Sequence, residues 1–190
     1  GDTLAVLYSG DGGWASLDKG LADGLARGGL PVIGYNSLRY FATARTPQAA
    51  AADLAAALRR QMAARGQRRL LLVGFSFGAD ALPAIVPRLP ADLRARIRLV
   101  ALVGPGPTGD LHFTPRSWFN RPSPGGYPVP RAIAALNGEP MVCIYGEREP
   151  HPVCPALPPA LIRRIVRPGG HHYDGDYDGL SQTILRALPA

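Results

Sequence analysis

Leu70-Leu71-Leu72-Val73-Gly74-Phe75-Ser76-Phe77-Gly78 decides the fold. The apolar run from Leu70 to Phe75 suits a strand buried on both faces, and the stretch from Ala79 to about Val86 reads as a helix ended near Pro87 and Pro90. Between them, Gly74-Phe75-Ser76-Phe77-Gly78 fits Gly-x-Ser-x-Gly, a pattern common by chance. At a strand-to-helix junction it gains meaning, because a sharp turn there lifts a serine hydroxyl above the sheet edge. Glycines on either side allow strand and helix to approach more closely than any side chain would. The plainer alternative is a serine that only caps the helix from a Gly-rich turn.

Working outward, the same strand-loop-helix unit recurs. Leu4 to Tyr8 is an apolar strand that feeds the turn-rich Ser9-Gly10-Asp11-Gly12-Gly13. Leu17, Leu21 and Leu25 then mark a helix face, stopped by Gly28-Gly29. Pro31 to Tyr35 reads as a second strand, followed by a helix with Thr46 as N-cap, Pro47 at its first position, a run through Arg65 and Gly66 as stop. Arg98–Val103, Met141–Tyr145 and the stretch Leu161 to Val166 are further strand candidates, and a last helix is expected from about Tyr177 to Leu188. Continuous apolar strands alternating with helices imply an α/β class: a mainly parallel sheet of about six strands with helices on both faces. One domain over residues 1–190 is expected, with 104–140, rich in Pro, Gly and aromatics such as Phe113, Trp118, Phe119 and Tyr127, as a loop or small cap over one sheet end.

A serine nucleophile needs a base and an acid that orients it, and in a sheet of this kind they follow in the order Ser, Asp or Glu, His. Gly146-Glu147-Arg148-Glu149 follows one strand, and Pro168-Gly169-Gly170-His171-His172 follows the last. Glu149 is the favoured acid, being one residue further from the strand and free to reach across, with Glu147 as alternate. His171 is the favoured base, with His172 as alternate. Taken singly these are ordinary loop residues; their joint appearance in this order carries the reading. The oxyanion of acyl transfer calls for two backbone N–H groups, and Phe77 and Asp11 are the candidates. No Gly-Lys-Ser/Thr follows the Ser9–Trp14 loop, so a phosphate loop is excluded.

The formal charge of +7 comes almost wholly from arginine, with Lys19 the only lysine. Scattered arginines without a nucleic-acid module argue against nucleic acid and leave an anionic membrane surface or anionic substrate as the natural target. No apolar run approaches the roughly 18 residues of a membrane span. The sequence starts at Gly1 without a charged, then apolar leader, so a signal peptide is expected to be absent or removed. No cofactor and no metal are expected: His112 and His151 lack ligand spacing, and Asp174-Gly175-Asp176-Tyr177-Asp178 lacks the rest of a calcium loop and reads as a helix start. Cys143 and Cys154 either pair or remain free.

Tyr8–Trp14, Asn36–Phe41, Gly74–Asp80, Cys143–Gly146 and Pro168–Tyr173 together resemble the VirJ and AcvB family of bacterial virulence proteins. The resemblance implies an α/β-hydrolase domain in the periplasm that hydrolyses aminoacylated, particularly lysyl, phosphatidylglycerol, with links to virulence and type IV secretion-system proteins in some members. Longer relatives carry an extra amino-terminal region, and functions residing there are not among those the resemblance implies. A periplasmic location favours a Cys143–Cys154 disulfide around the two glutamates. For such a substrate, arginines would meet the anionic headgroup, and Asp80, with Asp174, Asp176 and Asp178, the ammonium groups; Trp14 is a further substrate-binding candidate. For Asp80, favourable placement near a helix N-terminus is the simpler role. A general carboxylesterase or thioesterase, and a non-catalytic periplasmic interaction module, are the alternatives.

Overall fold

The computed structural model describes residues 1–114, 125–136 and 138–189. Six parallel strands form one sheet: β1 (Thr3–Tyr8), β2 (Val32–Tyr35), β3 (Arg69–Phe75), β4 (Ile97–Val103), β7 (Met141–Gly146) and β8 (Arg163–Arg167), in the order β2-β1-β3-β4-β7-β8. The order reverses beside β1 and β3, and such a switch point opens a crevice at the carboxyl ends of the strands. That is where the Ser76 turn lies.

The helices are α1 (Ser16–Arg27), α2 (Ser37–Tyr40), α3 (Pro47–Arg65), α4 (Phe77–Ile85), α5 (Ala91–Arg94), α6 (Val129–Ala134) and α7 (Tyr177–Ala187). Alternate residues of the buried strands feed two cores. Leu4, Val6, Leu70 and Leu72 face one side, with Leu54 and Leu58 of α3 and Leu82 of α4. Ala5, Leu7, Leu71 and Val73 face the other, with Leu21 and Leu25 of α1 and Ile184 of α7. The period of two along each strand sends successive side chains to opposite faces, so continuous apolar runs serve both.

α1 and α7 meet along a seam of small residues. A β-carbon at Gly20 would lie 2.7 Å from the Tyr177 ring; at Gly24 it would overlap Ser181, and at Gly28 it would lie 2.5 Å from Leu185. These positions are one turn apart on both helices, so they pack as neighbouring ridges.

Two expectations need correction. The last strand lies at Arg163–Arg167, not Leu161 to Val166: Ile162 is buried ahead of it, whereas the edge strand itself leaves Val166 54% exposed. The helix after Ser76 starts at Phe77 rather than Ala79. Within 104–140, a two-strand ribbon of β5 (Thr108–Gly109) and β6 (Tyr127–Pro128) leads into α6. It is anchored by the Tyr127 hydroxyl donating to the Asp80 carbonyl at 2.8 Å and by Phe113 N–H donating to the Phe41 carbonyl at 2.7 Å. Trp118 and Phe119, expected in the same cap, lie outside the described residues.

Candidate active site

Ser76 closes β3 and caps α4 with φ +50° and ψ −116°, a conformation that L-residues avoid and that costs of order 1–3 kcal/mol where it is enforced. Close packing enforces it. A β-carbon at Gly74 would overlap the Gly78 carbonyl, and one at Gly78 would overlap the Tyr8 carbonyl on β1. Ser76 N–H donates to the Val103 carbonyl at 2.8 Å, pinning the turn to β4.

His171 Nε2 lies 3.0 Å from Ser76 Oγ, and its Nδ1 lies 2.5 Å from Glu149 Oε1. The carboxylate is fixed on its other oxygen by Gly146 N–H, which donates to Oε2 at 3.2 Å. Its side chain is 8% exposed. Arg148 N–H donates to the Gly169 carbonyl at 3.0 Å and Glu147 N–H to the Arg167 carbonyl at 2.8 Å, so the acid loop and the histidine loop are sewn together. Tyr173, fully buried at the end of the histidine loop, donates its hydroxyl to the Ile144 carbonyl at 3.2 Å. The imidazole of His171 also packs on Phe75 with ring centres 5.2 Å apart. Gly104, at φ +60°, passes beneath the pair: a β-carbon there would come within 2.9 Å of His171 Cε1 and 3.3 Å of Glu149 Oε1.

The favoured members of each pair are thus the ones brought together. Glu147 instead turns outward to Arg148, 3.7 Å away. His172 packs edge-on against His171 with ring centres 5.5 Å apart. The Cys143–Cys154 disulfide forms between β7 and the turn Cys154–Ala156, with Cα atoms 5.6 Å apart, and its loop contains Glu149. Both cysteines are buried.

Beside the serine runs the loop after β1. A β-carbon at Gly10 would meet the Phe75 ring at 3.1 Å and Ser76 Cβ at 3.5 Å, so this backbone lies directly against the turn. Among the described residues no protein acceptor takes the Asp11 or Phe77 N–H, whereas Gly10 N–H is committed to Asp18 at 3.2 Å. Asp80, in the first turn of α4, accepts from Gly106 N–H at 2.7 Å, which ties α4 to the loop after β4. Burial pushes its carboxyl well above the ordinary range; the Gly106 hydrogen bond opposes that, and the charges of Asp11 and Glu149 add to it. The Trp14 indole covers Gly34 on β2, two strands from the one carrying Ser76, because the missing side chain leaves room there. Asp176 caps α7 by accepting from Gly179 N–H at 2.9 Å, as a helix start should. Arg148 draws the exposed Asp174 carboxyl below its ordinary value through their hydrogen bond. Sequence reasoning missed Asp18 and Gly104. The only trace of Asp18 is an acid three residues after Ala15 at a helix start, a position that favours capping.

The family model described as "Bacterial virulence protein (VirJ)" matches residues 2–190. The chain belongs to the VirJ family. No curated protein matches its sequence. Among solved structures, this VirJ-family chain is similar to an esterase from Pyrococcus furiosus, at 15% identity and a TM-score of 0.65, over 98% of this chain and 83% of that one. It is similar to Est1E from Butyrivibrio proteoclasticus at 13% identity and a TM-score of 0.64, over 97% and 86%. A thioesterase domain from the curacin biosynthetic pathway matches at 16% identity and a TM-score of 0.60, over 97% and 91%. The fold is that of the α/β-hydrolases.

Proposed function

We propose that this chain is a carboxylic ester hydrolase using Ser76 as nucleophile, His171 as base and Glu149 as the acid that orients it. The continuous contact from Ser76 Oγ through His171 to Glu149 carries the reading, at 3.0 Å and 2.5 Å. His171 Nε2 takes the hydroxyl proton as Ser76 Oγ bonds to the ester carbonyl carbon, while Glu149 holds Nδ1–H and balances the imidazolium. The N–H groups of Phe77 and Asp11 receive the oxyanion. Collapse breaks the ester C–O bond, and the leaving alkoxide takes the proton from Nε2. Water then attacks the acyl-enzyme, giving its proton to Nε2, and that proton returns to Ser76 Oγ as the carboxylic acid leaves.

The substrate we infer is an aminoacyl phosphatidylglycerol, the lysyl form above all, met at an anionic membrane surface in the periplasm. Family membership supports this. The disulfide suits an oxidising compartment, and the +7 charge suits an anionic surface. A part in virulence and type IV secretion belongs to the same proposal.

Labelling by a fluorophosphonate probe tests the chemistry. Wild type should label, and Ser76→Ala and His171→Ala should not, with ester turnover lower by roughly 10^4-fold or more. Equal labelling of Ser76→Ala would end the serine-hydrolase reading. Lysyl-phosphatidylglycerol in vesicles tests the substrate: release of free lysine is expected, and cleavage of simple esters with the lipid left intact would overturn the lipid assignment alone.

A further inference from the structure

Asp18 is 2% exposed at the start of α1, and among the described residues no Arg or Lys pairs with it. A buried carboxylate without a cation is costly unless hydrogen bonds satisfy it. Both oxygens are so engaged: Oδ1 accepts from Gly10 N–H and Oδ2 from Ala15 N–H, each at 3.2 Å. Those two amides bracket the loop Gly10–Ala15. Within the bracket, Gly13 N–H donates to the Gly10 carbonyl at 3.1 Å, and Ala15 N–H also reaches the Gly13 carbonyl at 2.9 Å. Outside it, Ser9 N–H donates to the Tyr35 carbonyl at 3.0 Å, and Ser9 Oγ accepts from Ser37 N–H at 2.9 Å.

The consequence falls on Asp11. With Ser9 and Gly10 N–H bonds directed into the fold, Asp11 carries the next amide of the loop, one residue from the glycine that packs on Ser76. We propose that Asp18 is a positioning residue: its carboxylate clamps the loop after β1 at Gly10 and Ala15 so that Asp11 N–H is held as the second oxyanion donor beside Ser76. The inference rests on the serine-hydrolase reading above and goes beyond it, since a side chain that touches neither substrate nor nucleophile sets the charge-stabilising geometry. Asparagine at 18 keeps one acceptor but turns an NH2 group toward the other amide, so the clamp opens at one end while size is retained.

The experiment compares wild type, Ser76→Ala, Asp18→Asn and Asp18→Ala for turnover of p-nitrophenyl acetate, binding of phenylboronic acid and thermal unfolding. The boronic acid bonds through boron to Ser76 Oγ, the hydroxyl proton passing to His171, and one hydroxyl of the resulting anionic tetrahedron occupies the oxyanion site. For folded Asp18→Asn, kcat should fall by about 10^2-fold, the effect of losing one oxyanion donor. KM should stay within about threefold, because the donor acts in the transition state. Boronate affinity should weaken in parallel with kcat. Unchanged kcat, or a loss of kcat with undiminished boronate binding, would overturn the proposal. If neither variant folds, Asp18 serves stability rather than positioning, and the proposal fails equally. If wild type neither turns over the ester nor binds the boronate in a Ser76-dependent way, it is the hydrolase reading that has failed.

Discussion

Replacing Cys143 and Cys154 together by alanine removes a cross-link whose ends are 11 residues apart. For a loop of that length the chain-entropy relation gives about 3 kcal/mol at 25 °C, through greater freedom of the unfolded chain. In a protein of this size 1 kcal/mol shifts the midpoint by roughly 2–4 °C, so the double variant should melt about 6–12 °C lower. Its urea m-value should rise, because the unfolded chain is no longer held compact. The cross-link also closes the loop that carries Glu149, whose carboxylate contacts His171 Nδ1. Well below the melting transition kcat should therefore fall by roughly tenfold, within the up to 10^2-fold that a misplacement of about 1 Å costs. Urea denaturation measures the first effect and ester turnover on the folded variant the second. An unchanged unfolding free energy would refute the entropic reasoning. Undiminished kcat in a destabilised variant would show that the Gly146 and Gly169 contacts hold the acid without the disulfide.

Four further substitutions sort the site residues: His171→Ala and Glu149→Gln should abolish or cripple ester turnover, whereas His172→Ala and Glu147→Gln should stay within about threefold of wild type; the reverse order in either pair would reassign it. Gly104→Ala places a methyl 2.9 Å from His171 Cε1 at φ +60°, so kcat should drop at least tenfold in protein that still folds, measured by turnover alongside thermal unfolding. Asp80 has a native carboxyl value raised above the ordinary 3.8. The native chain therefore holds that proton more tightly than the unfolded one, and the resulting stability is complete below about pH 3.8 and is lost as pH rises through the native value. Asp80→Asn keeps an acceptor for Gly106 and removes this slope, so its stability relative to wild type should grow as pH rises from 4; parallel urea-melt profiles would contradict the burial argument.

Legibility in the sequence followed how much of an element's stability is local. β1, β3, β4 and β7 are buried on both faces and announce themselves as apolar runs. α3 carries its own boundaries, with Thr46 accepting from Ala49 N–H and Gly66 in the left-handed region. β8 lies further along than the apolar run because this edge strand is Arg163-Arg164-Ile165-Val166-Arg167, with only two adjacent apolar residues, so an apolar-run reading is drawn toward buried Ile162. α2, α6 and the β5–β6 ribbon are too short to hold without their tertiary neighbours. Order along the chain pointed to Ser76, Glu149 and His171, which the fold brings into contact, since each follows a strand. Asp18 was hidden because its partners are backbone amides, and no residue type marks those.

α1 leaves the loop that presents Asp11, and α7 leaves the loop that presents His171. Glycines 20, 24 and 28 against Tyr177, Ser181 and Leu185 therefore do the work of a gauge block. That helix contact lies on the same face of the sheet as Phe75, the ring that supports His171, so it braces the His171 loop against the loop carrying Asp11. A single added methyl along the seam would force the two helices apart, and with them the two loops they leave.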